Sequence, residues 1–241
     1  KWKYRFRYNK NVWSTIVALT KYNYNRFDLT TAASKGLGFN SDADGFETSS
    51  ATSMILIKTL TASSSGTLSF VNGSSDVVLD STYPVYLFKV FNAHPSDTSN
   101  QGGFVFNGSD DTSSHSYDIT KTTTFFRAYH FENDSATGLG YTTGNDLAQS
   151  TAFQRLTHDD DIGDSADSGC SGKLYLFNPS STTFVKHFMS RFNGMSSDSF
   201  THDSYMGGYF NTTAAITAIQ FKFGSGNIDA GTIKLYGIKD S

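Results

Sequence analysis

Only one of the 241 residues is cysteine, Cys170, three are proline, and two, Glu47 and Glu132, are glutamate. A single thiol excludes an internal disulfide, so cross-links contribute nothing to stability, and the redox compartment stays open. No run of 18 apolar residues occurs, which excludes a membrane-spanning helix. A net charge of -3 with 17% charged residues excludes a generally basic nucleic-acid binder. Aromatic residues make up 15% of the chain, too many for a disordered polymer. The chain does not begin with Met, and residues 1–10 lack the apolar stretch of a signal peptide, so it reads as a fragment or a processed chain. No GxSxG, P-loop, HExxH or strand-following GxGxxG is found, so the hydrolase, metalloprotease and nucleotide-binding signatures are missing.

What is abundant is Ser and Thr, 33 and 28 residues, about a quarter of the chain. Ser, Thr, Asn and Asp compete with helical hydrogen bonding, and scarce Glu removes a good helix former, so the composition reads as all-β. Charge divides the chain. Seven of the 19 basic residues fall before position 27 and no acid precedes Asp28; from residue 27 onward 12 basic residues face 22 acidic ones. Residues 1–8 alternate, with Trp2, Tyr4, Phe6 and Tyr8 on one parity and Lys1, Lys3, Arg5 and Arg7 on the other, the pattern of a half-buried strand suited to edge pairing. Contact with an acidic surface or with nucleic acid are its other readings. Residues 30–50 are small and polar and read as a linker or long loop, which gives an N-terminal segment, 1–52, and a body, 53–241.

Within the body, strand-like runs are expected at 54–60, 67–71, 77–79, 85–91, 104–106, 123–131, 173–177, 183–192, 204–210, 216–223 and 232–238. Asn72-Gly73, Asn107-Gly108, Asn178-Pro179 and residues 224–227 separate them with turn chemistry. The spacing predicts a β-sandwich, most simply jelly-roll-like and antiparallel. In the 183–192 run Phe184, Phe188 and Phe192 share a parity with Lys186, so one end of that strand is expected to bulge or leave the core. No internal repeat supports a solenoid or propeller.

Paired carboxylates are the remaining route to an enzyme. The acids cluster as Asp110-Asp111 and at 159–161, flanked by Gly and Ser, and read as turn residues. The best candidate for an ion is the loop with Asp159, Asp161, Asp164 and Asp167, whose mutual repulsion a calcium ion would relieve, although the closing Glu of an EF-hand is missing; an exposed acidic loop is the alternative. Six histidines show no zinc spacing. Tyr141, Tyr205 and Tyr209 lie in or near Gly-rich segments and are candidates for sugar stacking or for a core or interface role. Asn-x-Ser/Thr triplets at Asn72, Asn107, Asn133 and Asn211 are no more numerous than chance allows.

Four stretches carry a resemblance: Ser81-Thr82-Tyr83-Pro84-Val85-Tyr86-Leu87-Phe88-Lys89-Val90-Phe91-Asn92-Ala93-His94-Pro95; Thr124 to His130; Leu174-Tyr175-Leu176-Phe177-Asn178-Pro179-Ser180-Ser181-Thr182-Thr183; and the ending from Gly208 through GNIDAGTIKLYG at 226–237. Over roughly residues 53–238 the chain resembles a family of small structural proteins of tailed bacteriophages, especially marine ones. The resemblance implies a non-enzymatic virion component, a tail-fibre or head-fibre/decoration subunit on the particle surface. With it goes the expectation of a homo-oligomer, with a trimer favoured, that contacts other virion proteins and a host surface glycan, while the charge and the lack of a long apolar run argue against nucleic acid and membrane insertion. Residues 1–52 fall outside it, so Trp2, Lys3, Tyr4, Arg5, Phe6 and Arg7 are the expected particle-attachment strand. The competing expectation is a calcium-dependent, lectin-like carbohydrate-binding module.

Overall fold

A computed structural model describes residues 36–39, 46–49, 53–97, 103–158 and 162–239. The chain falls into two units, Lys1–Thr52 and Ser53–Ser241. In the first, β1 (Gly36–Phe39) and β2 (Phe46–Ser49) pair antiparallel, inside the stretch expected to be linker or loop. The attachment residues Trp2 to Arg7 lie outside the described residues.

The second unit is an antiparallel sandwich. Eight strands form one sheet in the order β3 (Met54–Thr61), β14 (Ile228–Ile238), β5 (Val85–Pro95), β10 (Cys170–Phe177), β11 (Lys186–Met195), β12 (Phe200–Phe210), β7 (Lys121–Phe131) and β8 (Thr137–Tyr141). Four form the other, in the order β4 (Leu68–Val71), β13 (Ala218–Phe223), β6 (Phe104–Ser109) and β9 (Gln154–Arg155). The all-β character expected from composition and the antiparallel sandwich expected from strand spacing are present.

Period-two alternation explains the packing, because alternate side chains leave opposite faces of a sheet. From the large sheet Phe88, Phe188, Phe192 and Phe210 point inward; from the small one Phe70, Phe104, Phe106, Phe221 and Phe223 meet them, all essentially buried. The rings interlock across the interface, with centroids 5.3 Å apart for Phe70 and Phe88, 5.2 Å for Phe106 and Phe188, and 6.1 Å for Phe104 and Phe192. Edge-on and tilted arrangements of this kind add about 0.5–1.5 kcal/mol per pair beyond area burial. The small sheet therefore covers one face of the large sheet.

Several local expectations are refined. Residues 77–79 form no strand, since Gly73 donates to the Val77 carbonyl in a turn that carries Val77 and Leu79 into the core. Asn107-Gly108 is not a turn: β6 runs through it, and the buried Asn107 amide donates to the carbonyls of Tyr117 and Thr151, which also closes that triplet to glycosylation. The turn chemistry does hold at Asn178 and Gly226, which adopt φ of 45° and 67°. Just ahead of β11 Phe184 leaves the core and is 69% exposed, while Lys186, the first residue of the strand, stays inward. Its ammonium donates to the carbonyls of Phe184 and Thr212, at 2.9 and 3.1 Å, which satisfies the buried charge.

Candidate functional site

With the small sheet on one side, the opposite face of the eight-stranded sheet carries the outward parity of each strand. Lys89 stands between inward Phe88 and Val90 on β5, Lys173 beside inward Leu174 on β10, Arg191 between Ser190 and Phe192 on β11, and Lys234 between Ile233 and Leu235 on β14. Strand register aligns these positions. Lys234 is opposite Lys89, Lys89 opposite Lys173, and Lys173 opposite Arg191. The same row continues through Tyr205, Phe126 and Tyr141. With strands about 4.8 Å apart, the four backbone positions span about 14 Å.

Each cation lies over a ring: Lys89 over Tyr236 at 5.1 Å, Lys173 over Tyr175 at 5.5 Å, Lys234 over Phe91 at 5.7 Å and Arg191 over Tyr205 at 5.0 Å. The rings brace the long aliphatic stems and favour the charges at about 0.5–1 kcal/mol apiece. Arg191 is also held by Asp203, with Nε 3.1 Å from each carboxylate oxygen and a terminal nitrogen 2.7 Å from Oδ2. That pairing raises the Arg191 pKa further. Among the described residues Lys89, Lys173 and Lys234 have no carboxylate partner.

Beyond Arg191 the row becomes aromatic. Tyr205 and Phe126 stack with centroids 4.8 Å apart and planes 1° from parallel. The Tyr205 hydroxyl donates to Asp203 at 3.1 Å, and partial burial together with this bond pushes its pKa up. Tyr141 is 58% exposed and donates to Asp146, which raises its pKa. Phe91, Phe126, Leu139, Met189 and Leu56 add exposed apolar surface on this sheet. Shallow depressions run along it, one between Lys89 and Asp203, another between Lys173 and Phe126.

Tyr141, Tyr205 and Tyr209, singled out by sequence, thus all belong to β8 and β12 on this sheet, the first two in one row. The four cations were not anticipated. Each sits alone in the sequence between core residues, and only strand register brings them together.

The acidic loop is separate. Asp159 and Asp161 lie outside the described residues. Asp164 and Asp167 line a cleft with His94, Asn92 and Asp229, and among the described residues no three His, Cys, Asp or Glu side chains are gathered closely enough to hold a metal. Asp111 acts as a local turn residue, as expected, whereas Asp110 bonds to a residue 102 positions away. Asp110 accepts from Thr212 Oγ1 at 2.7 Å, while Asp111 accepts from the Ser116 amide, the Ser116 hydroxyl and Ser109 Oγ, bonds that hold its carboxyl below the usual range. Cys170 is buried, and burial alone pushes its thiol pKa far up, so it is not a reactive thiolate.

Compared with protein-family models, curated proteins and solved structures, the chain finds no match.

Proposed function

We propose that the chain is a non-enzymatic structural protein of a virion, a tail-fibre or head-fibre/decoration subunit. Its sandwich contacts a host surface glycan through the open face of the eight-stranded sheet. The observation that carries the contact surface is the exposed row through Tyr205, Phe126 and Tyr141 beside four aligned cations. Contiguous exposed apolar area of this kind marks binding sites, and rings flanked by polar side chains suit saccharides. The virion assignment rests on the stretches at 81–95, 124–130, 174–183 and 208–237. The engagement of Asp110 by Thr212 and of Asp111 by Ser116 supports the non-enzymatic reading, since both carboxylates serve as structural acceptors. Assembly as a homo-oligomer, a trimer by the same resemblance, would multiply weak contacts through effective concentration.

The second reading is a calcium-dependent lectin-like module, whose ion would sit in the cleft that Asp164, Asp167 and Asp229 line without gathering closely. One experiment separates the two. The full chain is applied to an array of bacterial surface polysaccharides with calcium and with chelator, beside a Phe126→Ser, Tyr141→Ser variant. Binding independent of calcium and weakened at least tenfold in the variant, with unchanged melting, is the expected result. Calcium-dependent binding that survives the substitutions would favour the lectin reading, and no binding to any saccharide would overturn the proposal.

A further inference from the structure

We propose that the Lys234, Lys89, Lys173 and Arg191 row selects an acidic polysaccharide, one bearing a carboxylate, sulfate or phosphate at successive sugars, laid across the strands. The inference rests on the open face being the saccharide-contact surface. Residues 53–241 carry 11 basic and 18 acidic side chains, yet four of the 11 cations stand in adjacent register positions. Like charges placed directly opposite on neighbouring strands oppose folding, by up to about 1 kcal/mol per pair. In a net acidic unit nothing in the packing requires that arrangement, because these side chains point away from the core. Features that oppose stability without a packing return belong to binding sites.

Charge complementarity fixes the occupant. A second copy docking the same face would set one cation row against another, so self-association through this face is disfavoured. A single nucleic-acid strand is also a polyanion, but its affinity comes largely from bases stacked on open rings. Here the rings beneath the four cations each carry a cation, Tyr236, Tyr175 and Phe91 a lysine and Tyr205 the Arg191 guanidinium, which leaves Phe126 and Tyr141, beyond the cations, as the exposed rings of the row. What remains is a group of cations whose backbone positions lie one strand spacing apart, about 4.8 Å, with the Lys89 and Lys173 ammonium groups leaning toward Tyr236 and Tyr175 and that of Lys234 toward Phe91. Each ammonium offers three donors to a carboxylate or sulfate. Asp203 holds Arg191 in place and leaves the three lysines as the anion-accepting set.

The test uses the full chain and a Lys89→Gln, Lys173→Gln, Lys234→Gln variant. The probes are polygalacturonate, the same polymer fully methyl-esterified, and oligodeoxythymidine. The wild type is expected to bind polygalacturonate at least tenfold more tightly than its ester, with affinity falling as salt rises. The variant should lose at least tenfold toward the acid and nothing toward the ester, with unchanged melting. Equal binding of acid and ester, unaltered in the variant, would overturn the inference and leave the glycan-contact reading standing. Failure to bind either form would overturn the inference and count against that reading too. Tighter, lysine-dependent binding of oligodeoxythymidine would overturn it in favour of nucleic acid.

Discussion

Replacing Phe221 by alanine is expected to lower the unfolding free energy by about 3–5 kcal/mol, the cost of removing a core ring whose site cannot collapse. The Phe221 ring is fully buried and sits at the centre of the inter-sheet layer. Its centroid lies 5.3 Å from Phe88, 6.0 Å from Phe104, 6.2 Å from Phe70 and 6.3 Å from Phe106, so it touches rings of both sheets. Deleting it leaves a hole bordered by four side chains held on three strands, β4, β5 and β6. Denaturant unfolding at neutral pH measures the change. A loss below about 1 kcal/mol would mean that the sheets close over the gap and are not held by this aromatic layer.

Lys121→Met is expected to make the protein more stable at pH 7, by about 2–4 kcal/mol as the linkage of a depressed lysine pKa converts to free energy. Lys121 begins β7, is fully buried, and donates to the Ala152 carbonyl at 2.6 Å, with the Phe210 ring 6.0 Å away. Burial brings its pKa down to about 7, and Asp118 opposes the shift only in part. Between about pH 7 and the ordinary lysine value of 10.5, the unfolded chain binds a proton that the folded one has released. Stability therefore rises with pH across that window, and below it the full penalty applies. The methionine variant should lose this slope, and its advantage should shrink as pH approaches 10. A variant less stable than the wild type at every pH would show that the ammonium, charged and bonded to Ala152, supports the fold.

Much of the fold was legible because burial in a sandwich imposes alternation. Phe88 and Val90, Phe188 and Phe192, and Phe221 and Phe223 mark their strands by period two alone. β8 carried no such signal. Thr137-Gly138-Leu139-Gly140-Tyr141 lies at the sheet edge, mostly exposed, so no core face imposes a pattern. Asn107-Gly108 reads as a turn locally, but the partners Tyr117 and Thr151, distant in sequence, satisfy the buried amide and keep the chain extended. Lys186 shows the limit of polarity as a guide, since two backbone carbonyls let a lysine take the inward place that the exposed Phe184 vacates.

The binding face was less legible for a related reason. Tyr141 and Tyr205 could be singled out by type and setting, but their alignment through Phe126 depends on register between strands 15 to 79 residues apart. The cation row depends on it entirely. Lys89, Lys173, Arg191 and Lys234 come from four strands and carry no spacing that a linear reading detects.

The most direct measurement is a backbone-amide NMR titration of the full chain with the saccharide that binds it most tightly on the array. If the open face is the contact surface, shifts should concentrate at residues 89–91, 171–175, 189–193, 203–207 and 124–128, and leave the small sheet's β4 and β13 unmoved. Shifts confined to the cleft at Asp164 and Asp167, or to residues 1–52, would contradict it.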